Sequence, residues 1–254
     1  MINNKIKSYA KINIALNIVG KNSSLHKIES IIAFVFLYDN IEIKKINSNK
    51  HKIFFSGKFS NSIGKKNTVS KLLEILEEKK FLQNDKFQIK IFKRIPTKAG
   101  LGGGSMNAAN ILNFFIKKKI IKITKKEIKK ICRLIGSDVI LGLNPSYCVL
   151  NSRNNLKMFS PNKKFYTLIV KPNFGCSTKD IYGKVKKFDK PMLNRPNKKM
   201  FNLNFLKKLS NSLEPIVLSK YSKLKSIKLY MENFLKPVFV RMTGSGSAFV
   251  AFYQ

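Results

Sequence analysis

Three observations predict an α+β fold with one large or two modest domains. Ile6, Ser8, Ala10, Ile12, Ile14, Leu16 and Ile18 alternate with Lys7, Tyr9, Lys11, Asn13, Ala15 and Asn17, which is the two-residue period of a strand. The run KRIPTKAGLGGGSMNAAN, from Lys93 to Asn110, joins an alternating Phe87, Ile89 and Ile91 to the helical series Ala108, Ala109, Ile111, Leu112, Phe114 and Phe115. The closing PVFVRMTGSGSAFVAFY reads as strand, glycine loop, strand. With 254 residues, 44% of them hydrophobic, the chain can bury a substantial core.

The first strand carries Lys11 and Asn13 on the face opposite its isoleucines. A solvated surface strand has the same pattern, so periodicity alone gives Lys11 no chemistry. A turn is expected over Gly20 to Ser24, then an apolar run from Ile31 to Tyr38, alternating Ile41, Ile43 and Ile46, and a short strand at Phe54 and Phe55. Asn67 is placed to cap a helix bearing Val69, Leu72, Leu73 and Leu76. Thr124 and Glu127 have capping-box spacing ahead of Ile128, Ile131, Cys132, Leu134 and Ile135, and Gly136 ends that helix. Asp138 comes directly after it and leads into apolar Val139, Ile140 and Leu141. It reads as a turn former, or as a poorly solvated and therefore more basic proton acceptor. Polar residues 151–164, with Pro161, suggest a domain boundary, and a strand from Phe165 to Val170 opens the second part of the chain. Thr178 starts a short helix that carries Tyr182, residues 186–199 read as a mobile surface loop, and two helices fit between Phe201 and Phe234 with a break near Pro215 or Ser219.

Gly100, Gly102, Gly103 and Gly104 fall within five positions in a chain of 13 glycines, a concentration that exceeds what a plain turn needs. A helix starting near Ser105 would aim unpaired N–H groups and its positive dipole end at the loop, and phosphate is the natural occupant. The Ser105-Met106 pair excludes a Walker A loop, which needs Lys-Ser or Lys-Thr there. Glu127 lies in a lysine-rich helix start, not at a strand end, which excludes a dinucleotide fingerprint.

Cys132, Cys148 and Cys176 have no paired spacing, and His26 and His51 are the only histidines, so neither a disulfide framework nor a histidine-rich metal site is expected. No apolar run reaches the ~20 residues of a membrane span, and no secretory signal pattern opens the chain, so a cytoplasmic protein is expected. The formal charge of +37 raises the question of nucleic acid. The basic residues are strewn along the chain with no accompanying motif, and the abundance of Lys, Ile, Asn and Phe points to A/T-rich codon bias, so nucleic acid is not the expected partner. A phosphorylated small molecule satisfies the charge argument equally.

Seven segments occur in order: SYAKINIALNIVG, LHKIES, PTKAGLGGGSMNAA, GSDV, FGCSTKDIY, NSLEPIV and RMTGSGSAF. On these the chain resembles, nearly end to end, the GHMP kinase family of galactokinase, homoserine, mevalonate and phosphomevalonate kinases, and within it the diphosphocytidyl-methylerythritol branch of isoprenoid-precursor synthesis. The resemblance implies a two-domain α+β fold. Residues 1–155 would form an ATP-binding domain related to the second domain of a ribosomal protein, and residues 156–254 a ferredoxin-like domain. It implies ATP and Mg2+, a cytidine diphosphate substrate, and a monomer or weak homodimer. By position, Lys11 and Asp138 match the family's catalytic pair, and Gly100, Leu101, Gly102, Gly103, Gly104 and Ser105 its phosphate loop. Lys93, Asn67 and Asn110 match the nucleotide pocket, Asn13, His26, Thr178 and Tyr182 the substrate contacts, and Gly244 and Gly246 the third-motif loop. Leu25 stands where relatives have tyrosine, and Met106 where they have a second serine. The resemblance therefore predicts a cytosine stacked on one side only and a loop short of one hydroxyl. Other small-molecule kinases of the family, or a basic nucleic-acid-binding protein without catalysis, are the alternatives.

Overall fold

The computed structural model describes residues 5–22, 25–160 and 165–254. The second half of the expected Gly20–Ser24 turn and the Pro161 boundary lie outside them. Strand β1 (Lys5–Lys21) pairs with β2 (His26–Ile46), and the rest of their sheet runs β3 (Lys52–Ser56), β4 (Lys86–Phe92), β2, β5 (Tyr147–Leu150), β6 (Leu156–Phe159). The sequence reads β2 as two pieces, yet it is continuous, because Asp39 and Asn40 between the two apolar runs keep the extended register. β6 falls inside the stretch expected to be a polar boundary, and its pairing with β5 satisfies backbone groups that the side-chain pattern does not advertise.

Two compact units emerge, each assembled from separated stretches. The first comprises Met1–Ala10, Val35–Thr97 and Gly102–Pro145. Its inner sheet face, Ile41, Ile43, Phe87, Ile89 and Ile91, is covered by helices α1 (Thr68–Glu78), α2 (Gly103–Lys117) and α3 (Lys125–Ile135), with the short α4 (Val139–Gly142) against α2 and α3. Helix α1 begins as expected at Asn67, whose side chain accepts from the N–H groups of Val69 and Ser70, and α3 begins with the Thr124–Glu127 capping box.

The second unit comprises Lys11–Phe34, Lys98–Leu101 and Ser146–Gln254. Strands β7 (Tyr166–Val170), β9 (Phe249–Tyr253) and β8 (Phe239–Met242) form an antiparallel sheet in that order. Its core joins Val240, Met242, Phe249 and Ala251 to Ile181 of α5 (Thr178–Gly183), Val217 of α7 (Glu214–Lys220) and Leu224 and Met231 of α8 (Ser222–Phe234). Three helices, α6 (Leu203–Lys208), α7 and α8, occupy the stretch where two were expected, after a 3₁₀ turn at Lys198–Phe201. Pro215 sits in the first turn of α7 and so starts a helix instead of breaking one, as its missing N–H permits there.

Two expectations are corrected. From Ala10 to Ile18, β1 is buried on both faces, so Lys11 (4% exposed) is not a solvated side chain. The 186–199 stretch is irregular but tethered, since both carboxylate oxygens of buried Glu29 accept from the N–H groups of Met192 (2.7 Å) and Leu193 (3.0 Å), and Asp189 N–H donates to the Ile18 carbonyl.

Candidate active site

In the first unit the glycine loop ends at Gly102, whose φ of +68° is a left-handed conformation suited to glycine. Helix α2 therefore starts at Gly103, two residues before the expected Ser105. Its first ladder bond is Met106 N–H to the Gly102 carbonyl, and no side chain caps the end. The N–H groups of Gly103, Gly104 and Ser105 precede that bond and have no intrahelical acceptor, the arrangement that receives anions. A Cβ on Gly103 would fall 2.9 Å from Ile95 Cγ2, and one on Gly104 3.1 Å from Thr68 Oγ1, so close packing as well as conformation demands glycine here. Met106 is fully buried, its sulfur 3.0 Å from where a Gly142 Cβ would stand. The position is a packing one, so the expected loss of a phosphate-binding hydroxyl does not arise from it.

A residue that motif reading passed over anchors this loop. Asp39, fully buried on β2, pairs with the Lys93 ammonium. It also accepts from the N–H groups of Arg94 and Ile95, both at 2.8 Å, and from Asn107 Nδ2 at 3.0 Å. Burial pushes the Lys93 amine below its ordinary value, and Asp39 opposes the shift. Lys93, expected to line the nucleotide pocket, thus spends its charge on Asp39. Asn107 Oδ1 is buried without a protein partner. Asn110, the asparagine singled out by position, donates instead to the Met106 carbonyl (2.9 Å) and Ser8 Oγ (3.4 Å). Asn67 is committed to capping α1. The register held a signal for Asp39: it shares the odd-numbered inward positions of Ile41 and Ile43, and a carboxylate there requires partners. Asp138 lies half-buried at the start of α4 in this unit, just after α3 ends at Gly136.

In the second unit Lys11 Nζ donates to Asn13 Oδ1 (2.6 Å), and Asn13 Nδ2 donates to Ser30 Oγ (2.9 Å), which in turn donates to the Ala15 carbonyl. Lys11 N–H donates to the Leu101 carbonyl, and Asn13 N–H to Thr243 Oγ1, whose hydroxyl donates to the Gly100 carbonyl. The start of the glycine loop is thereby stitched to β1 and to the third-motif loop. Asn211 Nδ2 holds that third loop from behind, donating to the carbonyls of Met242 and Gly244, both at 2.8 Å. Gly100 and Gly244 have φ of +74° and +55°, and a Cβ on Gly100 would fall 2.0 Å from the Thr243 carbonyl oxygen. Gly100→Ala is expected to cost about 2–4 kcal/mol in unfolding free energy, read from urea denaturation, because left-handed strain and overpacking add.

Around His26, Tyr182 lies at 5.3 Å between ring centroids and Phe188 at 6.5 Å. Leu25 is 72% exposed and supplies no ring, and Phe188, from the tethered 186–199 stretch, is the second aromatic beside His26. Burial, then Lys21, lowers the His26 pKa below 6.5, leaving a neutral imidazole with one donor and one acceptor at neutral pH. Thr178 Oγ1 and Ser245 Oγ are 2.8 Å apart, linking α5 to the third-motif loop next to Gly244 and Gly246.

The three cysteines are free and buried, no cluster of three or more metal-ligating side chains occurs among the described residues, and no described helix is long and apolar enough to cross a membrane. The family profile "GHMP kinases N terminal domain" matches residues 67–150. A protein of Pelagibacter ubique named 4-diphosphocytidyl-2-C-methyl-D-erythritol kinase is 57% identical over 98% of this chain and 89% of its own length. A protein of the same name from Clostridium tetani is 32% identical over 98% and 90%. The crystal structure of a 4-(cytidine 5'-diphospho)-2C-methyl-D-erythritol kinase superimposes with a TM-score of 0.80 at 23% identity, covering 97% of this chain and 89% of that one. That of homoserine kinase from Cytophaga hutchinsonii gives 0.67 at 15% identity, covering 99% and 86%. These structural likenesses identify the fold as the two-domain α+β fold of such kinases.

Proposed function

The chain belongs to the GHMP kinase family, among its 4-diphosphocytidyl-2-C-methyl-D-erythritol kinases, and on that premise we propose that it transfers the γ-phosphoryl group of ATP to the 2-hydroxyl of 4-diphosphocytidyl-2-C-methyl-D-erythritol, releasing ADP and the 2-phosphate. The proposal includes a cytoplasmic setting, a monomer or weak homodimer, a nucleotide-binding part within residues 1–155, and a second domain over residues 156–254. The observation that carries it beyond a general family kinase is the neutral His26 flanked by Tyr182 and Phe188. Two rings and one donor–acceptor imidazole suit a flat, uncharged pyrimidine with a polar edge, and neither mevalonate nor homoserine has such a group.

Phosphoryl transfer asks the protein mainly to align reactants and offset charge. The uncapped start of α2 receives the phosphates through the N–H groups of Gly103, Gly104 and Ser105. Asp138 accepts or orients the proton of the attacking hydroxyl. Lys11, held by Asn13, stabilises negative charge developing on the transferred group. Asn13, Thr178, Tyr182 and His26 position the acceptor, and Gly244 and Gly246 support the phosphates. Mg2+ takes few protein ligands, chiefly oxygens, and completes its shell with water and phosphate. The Ser105 hydroxyl, at the start of α2 and 4.0 Å from where a Gly136 Cβ would stand, is the side-chain oxygen that would be offered to such a cation. When bound, Mg2+ would neutralise phosphate charge.

ADP release measured with the cytidine substrate, mevalonate and homoserine in parallel tests the assignment. Turnover with the first alone is expected. Comparable turnover with either of the others overturns it.

A further inference from the structure

Strands β1, β2, β4 and β3 of the first unit turn their isoleucines inward to the helices, and their other face carries an uncommon set of side chains. In the β2–β4 register Asn40 pairs with Phe92, Glu42 with Lys90 and Lys44 with Gln88, while β3 sets Phe54 beside Lys90 and Lys52 beside Gln88. Phe36 and Tyr38 precede Asn40 in the same alternation, and Lys5, Lys7 and Tyr9 of β1 lie alongside. The rings touch one another: Tyr9 is 5.8 Å from Phe36 and 5.4 Å from Tyr38, and Phe36 is 5.6 Å from Tyr38. Cations are threaded between them, with Lys7 Nζ 4.8 Å from the Tyr38 centroid and the Arg94 guanidinium 5.6 Å from Tyr38 and 5.5 Å from Phe92.

This face is not core. Phe36 is 82% exposed, Phe54 49% and Phe92 45%. Leaving large rings in water on an open sheet is unfavourable unless something covers them. The charges favour an anionic cover, because among the described residues Lys5, Lys7, Lys44, Lys52, Lys90 and Arg94 share the face with one carboxylate, Glu42, which is already 3.3 Å from Lys5. A second copy of a +37 chain is repelled by that field. Exposed rings on a twisted sheet, clustered edge to face and interleaved with cations able to meet phosphate, suit splayed bases on a sugar-phosphate backbone. The amides of Asn40 and Gln88, set among the rings and cations, add groups able to bond a ribose 2′-hydroxyl.

We propose that this outer sheet face of the first unit binds single-stranded RNA, two or three bases stacking on Phe36, Tyr38, Tyr9 and Phe92 while Lys7, Lys90 and Arg94 meet the phosphates. None of these side chains is assigned to phosphoryl transfer, although Tyr9 stands two positions before Lys11 in the same alternation of β1; the proposal does not depend on the catalytic residues. It rests on geometry, where overall composition did not favour such a partner.

The test is fluorescence anisotropy of the full chain with a labelled single-stranded RNA of about a dozen nucleotides, repeated at rising potassium chloride. The doubly substituted Phe36→Ser, Phe92→Ser chain changes no charge, and both rings are exposed, so its melting temperature should match the parent's. It is expected to bind at least about tenfold more weakly with the same salt slope. Lys7→Gln should instead lower the slope by about 0.7. Three results overturn the proposal: binding unaffected by the ring substitutions, which leaves only diffuse attraction to a basic chain; duplex RNA or single-stranded DNA bound as tightly; or self-association in sedimentation that the ring substitutions abolish.

Discussion

Replacing Asp138 with asparagine is expected to slow phosphoryl transfer, measured in a single turnover, by about a hundredfold or more while leaving ATP affinity within about threefold. Asparagine keeps the size of the side chain at the start of α4 and can still accept a hydrogen bond, but it cannot take a proton at neutral pH. The loss would then fall on the chemical step and not on nucleotide binding, which is assigned to the backbone N–H groups at the start of α2. Lys11→Met should produce a loss of similar size for a different reason. Methionine fills the buried position beside Asn13 without its charge, so the developing negative charge loses its nearest protein cation in the proposed scheme. Rates within a few-fold of the parent for either variant would remove that residue from the mechanism.

Asp39→Asn is expected to lower the unfolding free energy by about 3–5 kcal/mol, because it strands the Lys93 ammonium, 3% exposed, with no opposing charge. Urea denaturation of the single variant measures the cost. The double variant Asp39→Asn, Lys93→Met should recover a large part of it, since removing both charges abolishes the uncompensated ion. Equal destabilisation in the single and double variants would show that the ion pair is not what holds the loop, leaving the N–H bonds of Arg94 and Ile95 to do so.

The sequence made most elements legible where a local rule acts alone. The Asn67 and Thr124 caps, the alternation of β4 and the glycine loop leading into α2 all arise from side chains a few positions apart. It was least legible where distant stretches decide the outcome. Strict alternation in β1 reads as one buried face and one wet face, yet Lys11 and Asn13 are buried because Ser30, Thr243 and Leu101, far along the chain, supply their surroundings. Asp39 and Asn211 escaped motif reading for the same reason: each serves backbone groups of a loop far from it in sequence. Phe188 was hidden in a stretch whose lysines, prolines and asparagines suggested a mobile loop, and the bonds to Glu29 and Ile18 show that the stretch is held in place.

Phosphorus NMR of the product formed from ATP and 4-diphosphocytidyl-2-C-methyl-D-erythritol bears most directly on the claim that this chain is an alcohol kinase specific for the cytidine compound. One new phosphomonoester resonance, coupled to the carbon that bears the 2-hydroxyl and formed in equal amount with ADP, is the predicted result. ADP accumulating with inorganic phosphate and no new ester, or an ester on a different oxygen, would contradict it.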